Sequence, residues 1–290
     1  MPEPLAADSF ETLRLRANGI NLHVAVAGPA DAPLVVLLHG FPEFWYGWRR
    51  QIGALAAAGL SVAVPDQRGY NLSDKPAGIA AYHIDRLADD VLGLTDALGQ
   101  ERFAVVGHDW GGVVAWHLAG RNPERVRRAV ILNAPHPAIL GNFARSHPSQ
   151  LLKSWYVGFF QMPVLPEQTL AAGNFFMLQR TLRRTSRPGA FAGTDWPIYH
   201  TAWGRPGALT GGLNWYRALR LYVGASCPAR IRVPVRVIWG DRDAFLDRRL
   251  AEAGAALCDA GDVIHLPEAT HWLQHEEPEA VNRLLIEFVT

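Results

Sequence analysis

An aspartate on a predicted tight turn is the residue whose surroundings most clearly indicate chemistry. Asp109 lies in Gly107-His108-Asp109-Trp110-Gly111, between an apolar run at 103–106 and a helix-compatible segment at 113–120. This order of strand, turn and helix is typical of a nucleophile elbow. Glycines suit both flanking positions because a Cβ at either would crowd so sharp a bend. A carboxylate presented there can attack an electrophilic carbon and form a covalent ester.

Hydrolysis of such an ester needs a general base, usually a histidine that a third group holds in orientation. Asp243 follows the predicted strand 235–239, and His271 follows the predicted strand 262–266. Nucleophile, acid and histidine therefore occur in the chain order associated with this elbow. The sequence predicts Asp109 as nucleophile, Asp243 as acid and His271 as base.

Other histidines compete with His271 for the role of base. His275 lies nearer the C-terminal helix and is predicted to be exposed or capping. His108 adjoins the nucleophile but should point elsewhere, and His39 is predicted to support a neighbouring loop through hydrogen bonds.

Asp241 and Asp247 compete with Asp243 for the role of acid. A carboxylate directly at a strand end, such as Asp241, more often stabilises a turn. We therefore expect Asp243 to orient the base.

The reaction also requires groups that stabilise the negative charge of a tetrahedral intermediate. Backbone N–H groups of the residue after the elbow and of a loop after an earlier strand can form such an oxyanion hole. In this sequence they are the N–H groups of Trp110 and Phe41.

Strand and helix patterns alternate around these residues, which favours an α/β fold with a mostly parallel central sheet flanked by helices. A hairpin is predicted around Asn18-Gly19. The predicted strands are 13–16, 20–27, 34–38, 61–64, 103–106, 130–133, 235–239 and 262–266. The predicted helices are 48–58, 82–98, 113–120, 248–257 and one that begins near Pro278.

The alternation stops between residues 135 and 226, where no core strand is evident and aromatic residues are frequent. A flexible linker would be polar, so this composition indicates an inserted helical cap. The predicted organisation is a core at 1–134, a cap at 135–226 and a second part of the core at 227–290. Most of the cap aromatics are expected to pack against the core.

The bulk composition disfavours several classes of protein. With 290 residues, 49% of them hydrophobic, the chain can bury a large core, and a net charge of +1 argues against nucleic-acid binding. Cys227 and Cys258 suggest neither a disulfide framework nor a metal site. Residues 1–10 lack signal-peptide features, and no apolar run reaches the roughly 20 residues of a membrane span. We expect a cytoplasmic protein, with a homodimer as one open alternative.

Several motifs together resemble the epoxide hydrolases of the α/β-hydrolase fold over nearly the whole chain. Three of them are His39-Gly40-Phe41-Pro42-Glu43, Asp66-Gln67-Arg68-Gly69-Tyr70 and Thr270-His271-Trp272, and the fourth is the elbow. The resemblance implies an epoxide hydrolase that uses no metal or other cofactor.

The resemblance also assigns two tyrosines of the cap. Such enzymes use two cap tyrosines to hold and protonate the epoxide oxygen. They match Tyr156, ahead of Phe160-Gln161-Met162-Pro163, and Tyr216 in Asn214-Trp215-Tyr216-Arg217. The expected substrate is a small apolar epoxide. The substrate pocket is expected to involve Phe41, Pro42, Trp110, Trp155, Phe160 and Trp272.

Related enzymes provide the alternatives. Haloalkane dehalogenases share the Asp-Trp elbow but typically carry Asn where this chain has Phe41. Fluoroacetate dehalogenases carry arginines after the nucleophile, and the segment 109–116 has none. Serine esterases are disfavoured because the nucleophile is Asp109. A haloalkane dehalogenase remains the second choice, and a non-catalytic small-molecule binding protein is the alternative from another class.

Overall fold

A computed structural model describes residues 10–222 and 230–290 of the chain. Three sequence-based expectations therefore fall outside the described residues: those for segment 1–9, for Cys227 and for a cap boundary at 226. The strands are β1 Glu11–Ala17, β2 Ile20–Ala27, β3 Leu34–Leu38, β4 Ser61–Pro65, β5 Phe103–His108, β6 Val126–Leu132, β7 Val235–Gly240 and β8 Gly261–Leu266.

These strands form one eight-stranded sheet in the order β1-β2-β4-β3-β5-β6-β7-β8. The first two strands form the predicted antiparallel hairpin, and β2 also pairs antiparallel with β4. Every later pair is parallel, from β3 with β4 to β7 with β8. The fold is therefore the predicted α/β arrangement with a mostly parallel sheet.

Helices cover both faces of this sheet. Those of the core are α1 Arg49–Ala57, α2 Ile84–Ala97, α3 Trp110–Arg121, α10 Arg249–Ala255, α11 Leu273–Glu276 and α12 Pro278–Val289. Strand β3 shows why its sequence is an unbroken apolar run. Val36 belongs to the hydrophobic cluster on one face of the sheet, and Val35 belongs to the cluster on the other face. Alternate side chains of a strand point to opposite faces, so a strand covered on both sides needs apolar residues throughout.

A run of helices connects β6 to β7, and we call its residues 137–222 the insert. The helices are α4 Pro137–Ser146, α5 Pro148–Lys153, α6 Trp155–Phe160, α7 Leu165–Thr185, α8 Trp196–Trp203 and α9 Ala208–Ala218. Helix α7 is interrupted by non-helical backbone from Ala172 to Phe175. The insert residues include no strand.

Aromatic residues hold the insert against the core. The indole N–H of Trp203 donates to the Pro42 carbonyl at 2.6 Å, and that of Trp215 donates to the Arg68 carbonyl at 2.9 Å. Both indoles are buried, so each buries a large apolar surface and still satisfies its one donor. Among the described residues, no helix is both long and apolar enough to cross a membrane.

Candidate active site

The elbow between β5 and α3 presents Asp109 in a conformation that the surrounding glycines make accessible. Asp109 has a φ of 52° and a ψ of −121°, which few non-glycine residues adopt. A Cβ at Gly107 would overlap the Gly111 carbonyl, and one at Gly111 would overlap the Leu38 carbonyl. The helix therefore packs directly against the strands because these positions lack side chains.

Asp109, His271 and Asp243 lie together at the carboxyl end of the sheet. His271 Nε2 is 3.6 Å from Asp109 Oδ2, and His271 Nδ1 is 2.7 Å from Asp243 Oδ2. Asp243 follows β7 and His271 follows β8, which are neighbouring parallel strands. Parallel strands end at the same edge of a sheet, and this brings residues distant in sequence into contact.

The Asp243 carboxylate is held by four hydrogen bonds. Its Oδ1 accepts from the backbone N–H groups of Phe245 at 2.6 Å and Leu246 at 2.9 Å. Its Oδ2 accepts from the Asn133 side chain at 2.6 Å and faces the His271 ring. Both oxygens are thus engaged, which fixes the direction in which the carboxylate meets the imidazole.

Charge favours a protonated His271 while Asp109 is a free carboxylate. Burial alone would lower the pKa of His271, but the carboxylates of Asp243 and Asp109 outweigh it and raise that pKa to about 10. The pKa of Asp243 is lowered although burial opposes this, because His271, Asn133 and the Phe245 N–H stabilise its anion. These surroundings therefore favour the imidazolium form of His271.

The loop after β3 supplies one hydrogen-bond donor to the Asp109 carboxylate. The Phe41 N–H donates to Asp109 Oδ1 at 2.9 Å. The Trp110 N–H belongs to the first turn of α3, where backbone N–H groups have no acceptor within the helix. Because Phe41 contacts Oδ1 and His271 lies nearer Oδ2, the two oxygens of Asp109 have different surroundings.

His39 supports this loop from behind. Its Nε2 accepts from the Gln67 N–H at 3.0 Å, so its Nδ1 carries the proton and donates to the Gly40 carbonyl at 2.9 Å. Burial lowers the pKa of His39, which favours this neutral form. The arrangement is the one that the sequence analysis assigned to His39.

A cavity of about 460 Å³ opens above Asp109. Asp109 and His271 lie in its wall, and Tyr156 and Tyr216 of the insert also line it. Burial and the nearby Asp109 charge raise the pKa of both tyrosines well above the usual 10. Both phenols therefore stay protonated at neutral pH and can act as hydrogen-bond donors to a ligand.

Tyr216 packs against Trp110, the residue that follows Asp109. Their rings are perpendicular, with centroids 5.1 Å apart. Tyr156 lies beside Tyr216, with a ring-centroid separation of 6.0 Å.

Five of the six residues predicted for the substrate pocket line this cavity: Phe41, Pro42, Trp155, Phe160 and Trp272. The sixth, Trp110, is not among the lining residues and packs against the ring of Tyr216, which does line the cavity.

His275 was predicted to be exposed or capping, and this prediction is wrong. It is 1% exposed, and its Nε2 is 2.7 Å from Glu43 Oε1. The same oxygen accepts from the Tyr199 hydroxyl at 2.7 Å, and Oε2 accepts from the Gln274 side chain at 2.9 Å. Burial would raise the pKa of Glu43, but its contacts with His275 and its other neighbours lower it to about 2. Helix α11 thus turns His275 toward Glu43.

The remaining competitors for the catalytic roles have other partners. His108 Nε2 donates to the backbone carbonyl of His271 at 2.8 Å and so helps to position that loop. Asp241 pairs with His265 and Arg248, and Asp247 pairs with Arg249. Of the three acidic candidates, the structure places Asp243 against His271.

Two residues of the insert that the sequence analysis missed anchor the loop of Asp243. Lys153 Nζ donates to the carbonyls of Asp243 at 2.8 Å and Leu246 at 3.2 Å. Gln150, one helical turn earlier, donates to the Phe245 carbonyl and accepts from the Asp247 N–H, both at 2.9 Å. Their i, i+3 spacing places them on one helix face, but nothing in the sequence identifies the loop that they contact.

The described residues contain no group of three or more His, Cys, Asp or Glu side chains suited to hold a metal ion. Cys258, which lies among the described residues, is a free thiol. Burial raises the pKa of this thiol to about 11, so it stays protonated at neutral pH.

Comparison with known proteins agrees with this architecture. The model of the α/β-hydrolase fold family matches residues 33–278. An AB hydrolase superfamily protein of Bacillus subtilis, YfhM, is 49% identical over 97% of this chain and 99% of its own length. Human epoxide hydrolase 4 is 36% identical over 96% of this chain and 78% of its own length. The crystal structure of Bacillus megaterium epoxide hydrolase with an inhibitor superposes with a TM-score of 0.88 at 30% identity, covering 95% and 99% of the two chains.

Proposed function

The chain belongs to the α/β-hydrolase family and, within it, to the epoxide hydrolases, and on this basis we propose that it hydrolyses an epoxide to a vicinal diol through a covalent ester on Asp109. The single observation that carries the mechanism is the placement of Tyr156 and Tyr216 in the cavity wall with Asp109 and His271. Two neutral donors beside a carboxylate nucleophile suit a reaction in which a ring oxygen receives negative charge as carbon is attacked.

The first step forms the ester. Asp109 Oδ2 attacks a ring carbon of the epoxide and the bond from that carbon to the ring oxygen breaks. Oδ1 is the oxygen held by the Phe41 N–H at 2.9 Å, so it remains there and becomes the carbonyl oxygen of the ester. Phe41 and Trp110 are thus proposed to form the oxyanion hole for the second step.

The tyrosines stabilise the oxygen that leaves carbon. Burial raises the pKa of Tyr216, so its hydroxyl stays protonated and can donate to the epoxide oxygen. Tyr156 supplies the second donor. One phenol transfers its proton to the forming alkoxide, and the resulting tyrosinate takes up the proton that the His271 imidazolium releases before the second step. The product of this step is a hydroxyalkyl ester of Asp109.

The second step hydrolyses the ester with His271 as base. Esterification removes the negative charge of Asp109, which is one of the two charges that raise the pKa of His271. The imidazolium then loses its proton more readily, and the neutral ring can accept a proton from water at Nε2. The hydroxide formed attacks the ester carbonyl carbon, the oxyanion collapses, and the bond between the carbonyl carbon and the diol oxygen breaks. The leaving oxygen takes the proton of the newly added hydroxyl group, which releases the diol and leaves Asp109 a carboxylate and His271 protonated. Asp243 stabilises the imidazolium during this step.

A haloalkane dehalogenase is the alternative enzyme, and the surroundings of Trp110 disfavour it. Such an enzyme would use the Trp110 indole N–H to hold the departing halide. Here Trp110 is not among the residues that line the cavity, whereas Tyr156 and Tyr216 are. A non-catalytic binding protein is disfavoured by the 2.7 Å contact between His271 and Asp243 beside the nucleophile, because simple binding has no need of it.

The cavity indicates the substrate class. It is lined mainly by apolar and aromatic side chains, including Phe41, Phe160, Leu178 and Trp272. We propose a small apolar epoxide as the substrate. The division into a cap at 135–226 and core parts at 1–134 and 227–290 is also a proposal. A cytoplasmic location and the absence of nucleic-acid partners are also proposals, and a homodimer remains an alternative to a monomer.

The test is a substrate panel analysed for diol formation. It contains a styrene-type epoxide, an aliphatic terminal epoxide, a trans-disubstituted epoxide, a fatty-acid epoxide and 1-bromoalkanes. We expect diol from at least one epoxide and no bromide release, with Asp109→Asn as the inactive control. Bromide release together with inert epoxides would assign the dehalogenase function instead.

A further inference from the structure

The insert combines exposed apolar side chains with a strong positive charge. All the exposed large hydrophobic residues among the described residues lie in the insert, from Leu151 to Leu221. Segment 137–222 also contains nine basic and two acidic residues, a net charge of +7, whereas the whole chain has a net charge of +1. The rest of the molecule is therefore net acidic, and the charge is divided between two regions.

The two most exposed of these apolar residues lie at the rim of the cavity above Asp109. Leu152 is 76% exposed and Trp155 is 67% exposed, and both also line the cavity. Met177, on α7, is 45% exposed and lines it too. A residue that lines a cavity and is also exposed must lie at its mouth. We call Leu152, Trp155 and Met177, with their exposed neighbour Phe176, the apolar rim.

Basic side chains flank this rim. The regular part of α7 carries one stripe of residues spaced four apart: Phe176, Arg180 and Arg184. This stripe lies next to Met177 and Thr181, which line the cavity. The guanidinium of Arg180 lies 5.8 Å from the Phe176 ring centroid. Within the described residues, the insert arginines that form ion pairs with carboxylates are Arg187 and Arg217. Arg180 and Arg184 thus remain exposed cations beside the rim.

We propose that the apolar rim docks the protein onto an anionic lipid surface, with the mouth of the cavity facing the lipid. Exposed tryptophan and leucine side chains beside arginines are the combination that binds the interfacial region of a bilayer. Apolar burial and attraction to anionic headgroups would act on the same face. The net acidic core would be repelled by the same surface and so would orient the molecule. Docking of this kind is independent of the reaction at Asp109.

The docking is tested by sedimentation of the full chain with sucrose-loaded vesicles, without any substrate. Vesicles of equal parts phosphatidylglycerol and phosphatidylcholine are compared with pure phosphatidylcholine at low and high NaCl. We expect binding to the anionic vesicles that weakens as salt rises, because salt screens headgroup charge.

Two variants separate the contributions. A basic residue near an anionic surface contributes about fivefold to partitioning, so Arg180→Gln/Arg184→Gln should weaken binding about 25-fold. Arg102→Gln/Arg232→Gln is the matched control. Both arginines are exposed and precede parallel strands, so they lie at the amino end of the sheet, opposite the carboxyl end where Asp109 lies. Leu152→Gln should weaken binding without affecting its salt dependence.

Three outcomes would overturn the proposal. The first is equal binding to neutral and anionic vesicles or to neither, and the second is an equal effect of the two arginine pairs. The third is a dimer in analytical ultracentrifugation that Leu152→Gln dissociates, which would assign the rim to contact with a second copy of the chain. Diol formation in solution is measured separately, so a failure of docking is distinguishable from a failure of the proposed hydrolase function.

Discussion

Replacement of Asp243 by Asn should separate the two steps of the reaction. The two oxygens of Asp243 accept from Phe245, Leu246 and Asn133 and face His271. An amide can keep the two backbone contacts only by turning its NH₂ toward His271. That group donates to Nδ1 and places the ring proton on Nε2, which is the atom that must accept a proton from water.

The magnitude follows from the charges around His271. Its pKa of about 10, against an ordinary 6.5, corresponds to roughly 5 kcal/mol of net stabilisation of the imidazolium. Asp243 is the larger of the two carboxylate contributions, so removing its charge withdraws the greater part of that stabilisation. The inverted tautomer adds to this loss, and we expect ester hydrolysis to slow by about 10⁴-fold. Ester formation needs no base and should slow by less than about tenfold.

Rapid-quench single-turnover experiments with intact-mass detection measure both steps on one sample. Asp243→Asn should show nearly normal ester formation followed by a stable adduct. Asp241→Asn is the matched control and should hydrolyse the ester at the normal rate, because Asp241 pairs with His265 and Arg248. Ester hydrolysis by Asp243→Asn within about tenfold of the unmodified enzyme would refute the role of Asp243.

Three further predictions concern the donors, the buried network and the pH dependence. Tyr216→Phe and Tyr156→Phe should each slow ester formation by about 10²-fold, as expected for the loss of one oxyanion donor. Hydrolysis of an ester already formed should change little. Stopped-flow kinetics in which hydrolysis slows and ester formation does not would contradict this. Glu43 has a pKa of about 2, depressed from 4.5, so its contribution to stability is complete above about pH 4.5 and is lost as pH falls toward 2. Urea unfolding should therefore show Glu43→Gln less stable by roughly 3 kcal/mol at pH 7 and by much less near about pH 2.5, and a pH-independent difference would rule out the linkage. Ester hydrolysis requires neutral His271 and should slow as pH falls, whereas ester formation should not require that neutral form. Single-turnover rates of the two steps, measured across pH, test this. The same pH dependence for both steps would contradict it.

The sequence was sufficient for the fold and for the arrangement of strands that positions the site. Apolar runs such as 34–38 and the glycines around Asp109 have few alternative interpretations, because a buried parallel strand and a sharp elbow each constrain residue type strongly. Asp243 and His271 could be placed because residues after parallel strands meet at one edge of the sheet. The substrate pocket could be predicted less completely, because five of the six predicted residues line the cavity and Trp110 does not.

What the sequence could not supply depends on packing between distant segments. The burial of His275 follows from the short helix α11, which turns it toward Glu43, a residue 232 positions away. The contacts of Gln150 and Lys153 with the Asp243 loop depend on how α5 lies on the core. Neither residue has a type or a spacing that identifies its partner. The unequal surroundings of the two Asp109 oxygens likewise appear only with coordinates.

The covalent ester on Asp109 is the central claim, and intact mass spectrometry of His271→Gln tests it most directly. Without the base, the variant should retain the ester, so incubation with a turned-over epoxide should add the mass of that epoxide, and peptide mapping should locate it at Asp109. Asp109→Asn should gain no mass under the same conditions. An unmodified mass for His271→Gln with every epoxide that the unmodified enzyme converts would contradict the account.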